Sequence, residues 1–426
     1  MANQRPGLLD IGPPRRSTRR RWSYLAAFIG IMFILSLLIH PTTNSYAKSA
    51  YDTVKGKVTG GISSSSGTHS SDSAASKTNT RPDTSKPTRH PINDGSDTIP
   101  NIAHFVYGLK DPNADLHFNF FHYLSAYSAW YHAKVHTLYL HTNAGEEALR
   151  RARSGEMGKW TKAIFDLPGF KVNYVEAPTH ANNGVKIAFM AGVSDFMRVD
   201  GMLDIGGFYI DFDVFVLRDL SPLRKSGFRA IAGRQMGPNY NSGTFMAAPN
   251  SLFIKNWQHL MQTKYDGTWE RHSTIGMREV ATALVPIPGE MLVLDQDAFA
   301  PLGWDENQSV EIFAPHNGTE PLLKTLGWKP GMDGEVGDGP LALDLPVFVE
   351  GDESDRPFWA RDWSASYLLH AFQIERSSGW HVDGFDHLTP KYALDRQSNA
   401  ARAVYPIVRD MYYRGLVKIT DRHDEP

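Results

Sequence analysis

No cysteine occurs among the 426 residues of the chain. Its absence excludes a disulfide-stapled scaffold, Cys-ligated zinc, thiol catalysis and dithiol redox exchange. The compartment stays open, because a core of this size needs no staples. A surplus of one charge is also missing, with 44 Lys and Arg against 46 Asp and Glu. General nucleic-acid binders draw their affinity from a basic excess, so no nucleic acid is expected among the partners. No internal repeat is visible. What the chain does have is apolar and aromatic bulk, 41% hydrophobic and 12% aromatic, enough for one large domain or two ordinary ones.

The charges are unevenly placed. Arg15, Arg16, Arg19, Arg20 and Arg21 directly precede Trp22 to Ile39, a run of 18 residues without a charge. As a helix that run spans roughly 27 Å, enough for a thin bilayer of the early secretory pathway. The arginines hold their end in the cytosol and send the rest of the chain into the lumen. The expectation is a cytosolic basic tail over 1–21 and a transmembrane signal anchor over 22–39. A cleaved signal peptide is the alternative, with Ser45-Tyr46-Ala47 as its small-residue site. Against it, the apolar run is longer than the usual h-region of about 7–15 residues.

Residues 40–98 are rich in Ser, Thr, Gly, Lys and Pro, for example Ser63 to Ser66 and Arg81-Pro82-Asp83. Large apolar side chains are too sparse there to offset ordering entropy, so a disordered Ser/Thr-rich stem is expected. As a flexible coil it holds the next domain roughly 40 Å from the membrane. From residue 99 the chain turns globular. Strands are expected at Ile102 to Leu109, Val135 to His141 and Lys171 to Glu176, and helices at Phe118 to His132, Glu146 to Ile164 and Val185 to Leu203. Strands alternating with helices point to an open α/β sheet. Two sequons, at Asn307 and Asn317, are glycosylation acceptors if the domain is luminal.

The segment from Ser194 to Val216 carries the chemistry. The helix pattern ends before Gly206-Gly207, a stop signal. Then Phe208, Ile210, Phe212, Val214 and Val216 fall on one face of an expected strand, and Tyr209, Asp211 and Asp213 on the other. Two carboxylates so close repel unless a cation or donors lie between them. A hard divalent cation with oxygen ligands is the natural partner. Asp195 and Arg198 share a helix face at i, i+3, where they can meet sugar hydroxyls or phosphate. Taken alone, an Asp-x-Asp triplet is common, two acids on a strand usually mark a solvated face, and an i, i+3 pair is usually a surface ion pair. The conjunction of all these features points to a site.

Ser194-Asp195-x-x-Arg198 followed by Gly206-Gly207-x-Tyr209-x-Asp211-x-Asp213 resembles the sugar-binding region of family 32 glycosyltransferases. Ile99-Pro100-Asn101-Ile102-Ala103-His104-Phe105 resembles that family's first strand. The specific match covers about residues 186 to 220, the looser one about 99 to 375. The resemblance implies a GT-A catalytic domain over 99–426, a Rossmann-like mixed sheet flanked by helices. It implies Mn²⁺ or Mg²⁺ and transfer with retention from a nucleotide sugar to a glycan or glycolipid acceptor. Asp211 then faces ribose and metal, Asp213 ligates the metal, and Asp195 and Arg198 hold the donor sugar. Arg198 also stabilises the departing diphosphate. Tyr107 on the first strand stacks on the base or is a core aromatic. Asn241, in Asn241-Ser242-Gly243-Thr244, lies near donor or acceptor or simply makes a turn. His370 touches the metal or the diphosphate, although the Ala371-Phe372-Gln373 after it departs from the family's Ser- and Trp-containing end. The family's Thr-Gly-Pro element is not evident, and Ser273-Thr274-Ile275-Gly276 stands in its place.

Retention by double displacement needs a further carboxylate, for which Asp295, Asp297 and Asp305 are unplaced candidates. Front-face substitution needs none and relies on preorganised charge. The donor is GDP-mannose or UDP-galactose or UDP-GlcNAc. The expected location is the Golgi or ER membrane, single-pass type II with the catalytic domain luminal. Three rivals stay open. One is a fold of this kind that binds nucleotide sugar or glycan without turnover, another is a glycoside hydrolase, and the third is a structural membrane protein. A hydrolase needs two carboxylates about 5–10 Å apart on different elements, and Asp211 and Asp213 suit a shared cation better.

Overall fold

A computed structural model describes residues 98–316, 356–372 and 381–426. The expected basic tail, the anchor, Asn317 and all but the last residue of the stem lie outside the described residues. Among the described residues no helix is long and apolar enough to cross a membrane.

The chain builds a mixed α/β domain. β1 (Ile102–Val106) leads through α1 (Phe120–Ala133) to β2 (Thr137–Thr142), and α2 (Glu146–Ser154) and α3 (Lys159–Phe165) lead on to β3 (Phe170–Tyr174). α4 (Met190–Met202) returns the chain to β4 (Gly207–Ile210). β5 (Val214–Val216), the single-turn α5 (Ser221–Arg224), β6 (Ala230–Arg234) and β7 (Tyr240–Ala247) come next. Then come α6 (Leu252–Lys264), α7 (Thr274–Leu284), β8 (Leu292–Leu294), α8 (Gln296–Phe299) and α9 (Glu306–Phe313). β9 (Leu368–His370), α10 (Pro390–Asp395) and α11 (Asn399–Tyr413) complete the described elements.

Seven strands form one sheet in the order β3-β2-β1-β4-β7-β6-β8. The β3, β2, β1 and β4 strands are parallel, β7 is antiparallel to both β4 and β6, and β8 is parallel to β6. Alternating side chains feed two cores. Phe105, Phe208, Ile210, Ile231 and Met246 pack on one face with α1, α2, α3 and α11. Val106, Tyr209, Ala232 and Phe245 pack on the other with α4, α6 and α7. The chain runs outward from β1 to β3, then crosses back through α4 to the other side of β1. That reversal makes a topological switch between β1 and β4, where open α/β sheets leave a crevice beyond the carboxyl ends of their strands.

Three expected elements are corrected. The helical stretch over 146–164 is two helices, because Gly155 and Gly158 take φ of 90° and 89°, left-handed values that end one helix and start the next. The expected strand from Phe208 to Val216 also breaks. After Ile210 the backbone turns, with the Val214 N–H donating to the Asp211 carbonyl at 3.0 Å. Phe212 explains the break. Its ring folds back among Phe105, Phe118 and Tyr107, with centroids 4.8, 5.0 and 6.4 Å away. It is buried in the turn as it would be in a strand, so the apolar alternation in the sequence hid the corner. Helix α4 also starts at Met190, later than expected.

Candidate active site

The switch point holds a cavity of about 790 Å³, lined by the end of β1, α4, the β4–β5 turn, β7 and the end of β9. Tyr107, Asp195, Arg198, Asp211, Asp213, Asn241 and His370, drawn from separate stretches of sequence, all line it.

Asp211 and Asp213 do not share a strand face. They converge from the two ends of a tight turn, and both flanks of that turn are fixed. On the β4 side, the Asp211 N–H donates to the Gly243 carbonyl at 2.8 Å. On the β5 side, Ser125 Oγ of α1 donates to the Val214 carbonyl at 2.6 Å and Ser128 Oγ accepts from the Val216 N–H at 2.9 Å. The far edge of β5 pairs antiparallel with β9, setting Val214 opposite His370, and the Ala371 N–H donates to the Asp213 carbonyl at 2.9 Å.

His370 therefore joins the two aspartates by backbone pairing. One ligand atom from each of Asp211, Asp213 and His370 lies within 4.8 Å of the others. Asn241 orients the imidazole. Its Oδ1 accepts from the Gly243 N–H at 3.0 Å, which fixes the amide, and lies 3.0 Å from His370 Nδ1. Nδ1 then carries the proton and donates to Asn241, leaving Nε2 turned toward Asp213 Oδ1, 3.4 Å away. Two oxygens and an imidazole nitrogen in this arrangement suit a divalent cation. The close approach also requires Gly243. A Cβ there would sit 2.5 Å from His370 Cε1 and 2.7 Å from Asp211 Oδ2.

The wall next to this cluster is a charged clamp. Arg198 Nη2 lies 3.0 Å from Asp195 Oδ1 and 3.3 Å from Asp211 Oδ1, Nη1 donates to the Ser242 carbonyl at 2.6 Å, and the guanidinium lies over the Tyr209 ring at 4.6 Å. Burial alone would lower the Arg198 pKa, but Asp211 first, then Tyr209, Asp195 and Asp213, more than offset it and hold the group charged. Arg198 thus braces two carboxylates, where a sugar or phosphate ligand was expected. Tyr209 donates to Asp211 Oδ1 at 2.5 Å, and burial drives its pKa well up, so it remains a donor. Asp195, Asp211 and Asp213 against the one Arg198 leave a formal charge of two negative in a largely buried wall, which a divalent cation would neutralise.

Tyr107 lines the β1 end of the cavity, with its ring edge-on to Phe118 at 4.7 Å and its hydroxyl donating to the His117 carbonyl at 3.2 Å. Ser273 and Thr274 also line the cavity at the start of α7. None of the three unplaced acids does. Asp295 and Asp305 cap α8 and α9, accepting from the Gln296 and Gln308 N–H groups, and Asp297 pairs with Arg361 at 3.1 Å.

Sequence reasoning missed His272, fully buried, with Nε2 2.8 Å from Asp195 Oδ2 on the side opposite Arg198's contact. Nothing local marks it, since its partner lies 77 positions earlier. Gly243 did carry a signal, because a glycine inside a strand marks close backbone approach.

Residues 127–229 match the family described as "Glycosyltransferase sugar-binding region containing DXD motif". This is a family 32-like glycosyltransferase region. It spans the acids and Arg198 but not His272 or His370. Glucan organizing enzyme 1 of Cryptococcus neoformans var. grubii serotype A is 25% identical over 214 residues, 47% of this chain and 54% of that protein. The chain thus spans about half the length of that curated relative. Among solved structures, the PaToxG glycosyltransferase overlaps 44% of this chain and 70% of its own, with 12% identity and a TM-score of 0.33. GlyE of Streptococcus pneumoniae TIGR4 overlaps 46% of each chain, with 13% identity and a TM-score of 0.27.

Proposed function

We propose that this protein is a metal-dependent retaining glycosyltransferase of GT-A type. It moves a hexose from a nucleotide sugar, GDP-mannose or UDP-galactose or UDP-GlcNAc, to a glycan or glycolipid. It acts as a single-pass type II protein of the Golgi or ER membrane with the catalytic domain luminal. The observation that carries the catalytic part is the convergence of Asp211, Asp213 and His370 within 4.8 Å at the switch point of the sheet. The membrane part rests on the arginine-flanked apolar run over 22–39.

The nucleotide lies toward the β1 end, near Tyr107 and Gly108, and the sugar against Asp195 and Ser242. Asp211, Asp213 and His370 would hold Mn²⁺ or Mg²⁺, which supplies positive charge to a departing diphosphate. Arg198 keeps Asp195 and Asp211 in place and lends its charge to the same wall. His272 Nε2, 2.8 Å from the second oxygen of Asp195, backs that carboxylate on the side away from Arg198 and limits the orientations in which it meets the sugar hydroxyls. In the transfer, the bond from the anomeric carbon to the diphosphate oxygen breaks and one to the acceptor oxygen forms. The acceptor proton goes to the leaving diphosphate. The engagement of Asp295, Asp297 and Asp305 elsewhere favours the front-face route over a covalent intermediate on any of them.

The test is nucleotide release by the full chain from a panel of GDP- and UDP-sugars, with Mn²⁺ and with EDTA. Turnover of one donor that disappears in EDTA is the expected result. Calorimetric binding of GDP or UDP without turnover of any donor, with and without added glycans, would replace the reading with a binding protein on the same fold.

A further inference from the structure

The cavity extends past the carboxylates to a rim that the transferase reading leaves without a role. Trp304 lines it and is 39% exposed, and Trp269 lines it and is 59% exposed. Large aromatic side chains left open to solvent at the mouth of one cavity call for a ligand, because burying them in a core is otherwise favoured. Phe372 adds a second, independent sign. Its φ is 45°, a left-handed value that a bulky side chain rarely adopts. That backbone turns its ring over His370, with centroids 3.7 Å apart and planes 18° apart, and places it edge-on to Trp304 at 5.7 Å. The result is a run of aromatic side chains from the His370 cluster to the rim. Trp269, stacked on Phe189 at 5.4 Å, lines the same cavity from the segment before α7.

Position in the sheet says which substrate this surface meets. The switch point and Tyr107 lie at β1, whereas Gln235, which also lines the cavity, comes directly after β6, three strands away in the order β1-β4-β7-β6. At about 4.8 Å per strand that separation is roughly 14 Å, a nucleotide sugar's reach away from the base end. Trp304 belongs to the β6 side, because a Cβ on the adjoining Gly303 would lie 2.6 Å from Met236 Sδ, next to Gln235. We propose that Trp304 and Phe372 form a stacking platform for the ring of a pyranose acceptor, so that the acceptor hydroxyl is presented by a sugar. This rests on the transferase reading. A pyranose has one face rich in C–H groups and an equatorial rim of hydroxyls, which matches an apolar ring surface bordered by polar groups. An acyclic polyol carries the same hydroxyls with no face to stack.

The test uses the full chain in detergent with its preferred nucleotide sugar and Mn²⁺, and measures transfer to methyl α-mannopyranoside, methyl β-galactopyranoside and sorbitol beside transfer to water. At least one pyranoside is expected to be used tenfold or more better than sorbitol. Trp304→Ala is expected to raise the acceptor KM tenfold or more and shift the partition toward water, and Trp304→Phe to recover most of the loss. An unaltered acceptor KM in Trp304→Ala, or equal use of sorbitol, overturns the proposal. If no nucleotide sugar is turned over even to water, the transferase reading fails separately. Saturation-transfer NMR of the same methyl pyranosides then decides. Saturation of ring protons by the wild type, lost in Trp304→Ala, supports the platform, and none in the wild type overturns it.

Discussion

Strands β3, β2, β1 and β4 run parallel and are joined by helices packed on the sheet, with β1, β2 and β3 pairing in chain order and β4 crossing back to pair with β1. The other side is assembled differently. Strands β7 and β6 return antiparallel, β8 arrives after two helices, and β5 leaves the sheet to pair with β9 from far along the chain. The parallel half supplies Tyr107, Asp195, Arg198 and Asp211, while Asn241, Gly243, His272 and His370 come from later segments. The first half therefore makes a crevice of ordinary α/β construction, and the second completes the cluster around the carboxylates.

The largest effect expected at the seam is that of Asp213→Asn. Removing one carboxylate charge from the cluster should lower transfer roughly a thousandfold. The backbone pairing of Asp213 with Ala371 is kept in the variant and the side chains are close in size, so the thermal midpoint should move little. Activity within tenfold of wild type would separate the cluster from the chemistry.

A second experiment probes the parallel half alone. His104 on β1 is fully buried, with Nδ1 2.8 Å from His141 Nε2 and Nε2 2.8 Å from the Gly206 carbonyl, and Asn173 donates to His141 Nδ1 at 3.0 Å. Burial pushes His104 down to about 4 and His141 to about 3, and it pushes His132 on α1 to about 4. The folded state keeps these rings neutral where the unfolded chain, titrating near 6.5, binds protons. Stability is therefore fully present above that value and is lost as pH falls toward 4. The loss should be on the order of 3 kcal/mol for His104 alone if its full shift is expressed. Urea midpoints between about pH 7.5 and 4.5 check this, and a flat profile would refute it.

A smaller effect is expected from Asn241→Leu, which removes the acceptor for His370 Nδ1–H. The Mn²⁺ concentration for half-maximal activity should rise about 10–100-fold, as when outer partners of metal-ligating histidines are lost. No change would mean that the backbone of β9 alone sets the ring.

The same division explains how much was legible in the sequence. Helix and strand periodicity, the Gly206-Gly207 stop and the spacing of Asp195, Arg198, Asp211 and Asp213 are local signals, and they led to the mixed sheet and to one wall of the cavity. Gly206 and Gly207 are required as read, with φ of 66° and 130°, and a Cβ on Gly207 would lie 2.4 Å from the Ile102 carbonyl oxygen. The corner at Phe212 was not legible, because a buried aromatic satisfies strand alternation and a core-facing turn equally well. His272 was invisible, because its meaning comes from a carboxylate on α4, far away in sequence. His370 was legible only through the resemblance, for pairing between β5 and β9 is written in neither strand alone.

That long-range pairing also sets an order of assembly. His370 enters the chain 157 residues after Asp213. At synthesis rates of about 5–20 residues per second, the ribosome delivers it roughly eight to thirty seconds later. The parallel strands have time to collapse while the nascent protein still lacks His370, so the crevice can exist before the cluster on its wall is complete. On the proposed function, a growing chain is thus kept chemically silent until almost the whole domain has emerged.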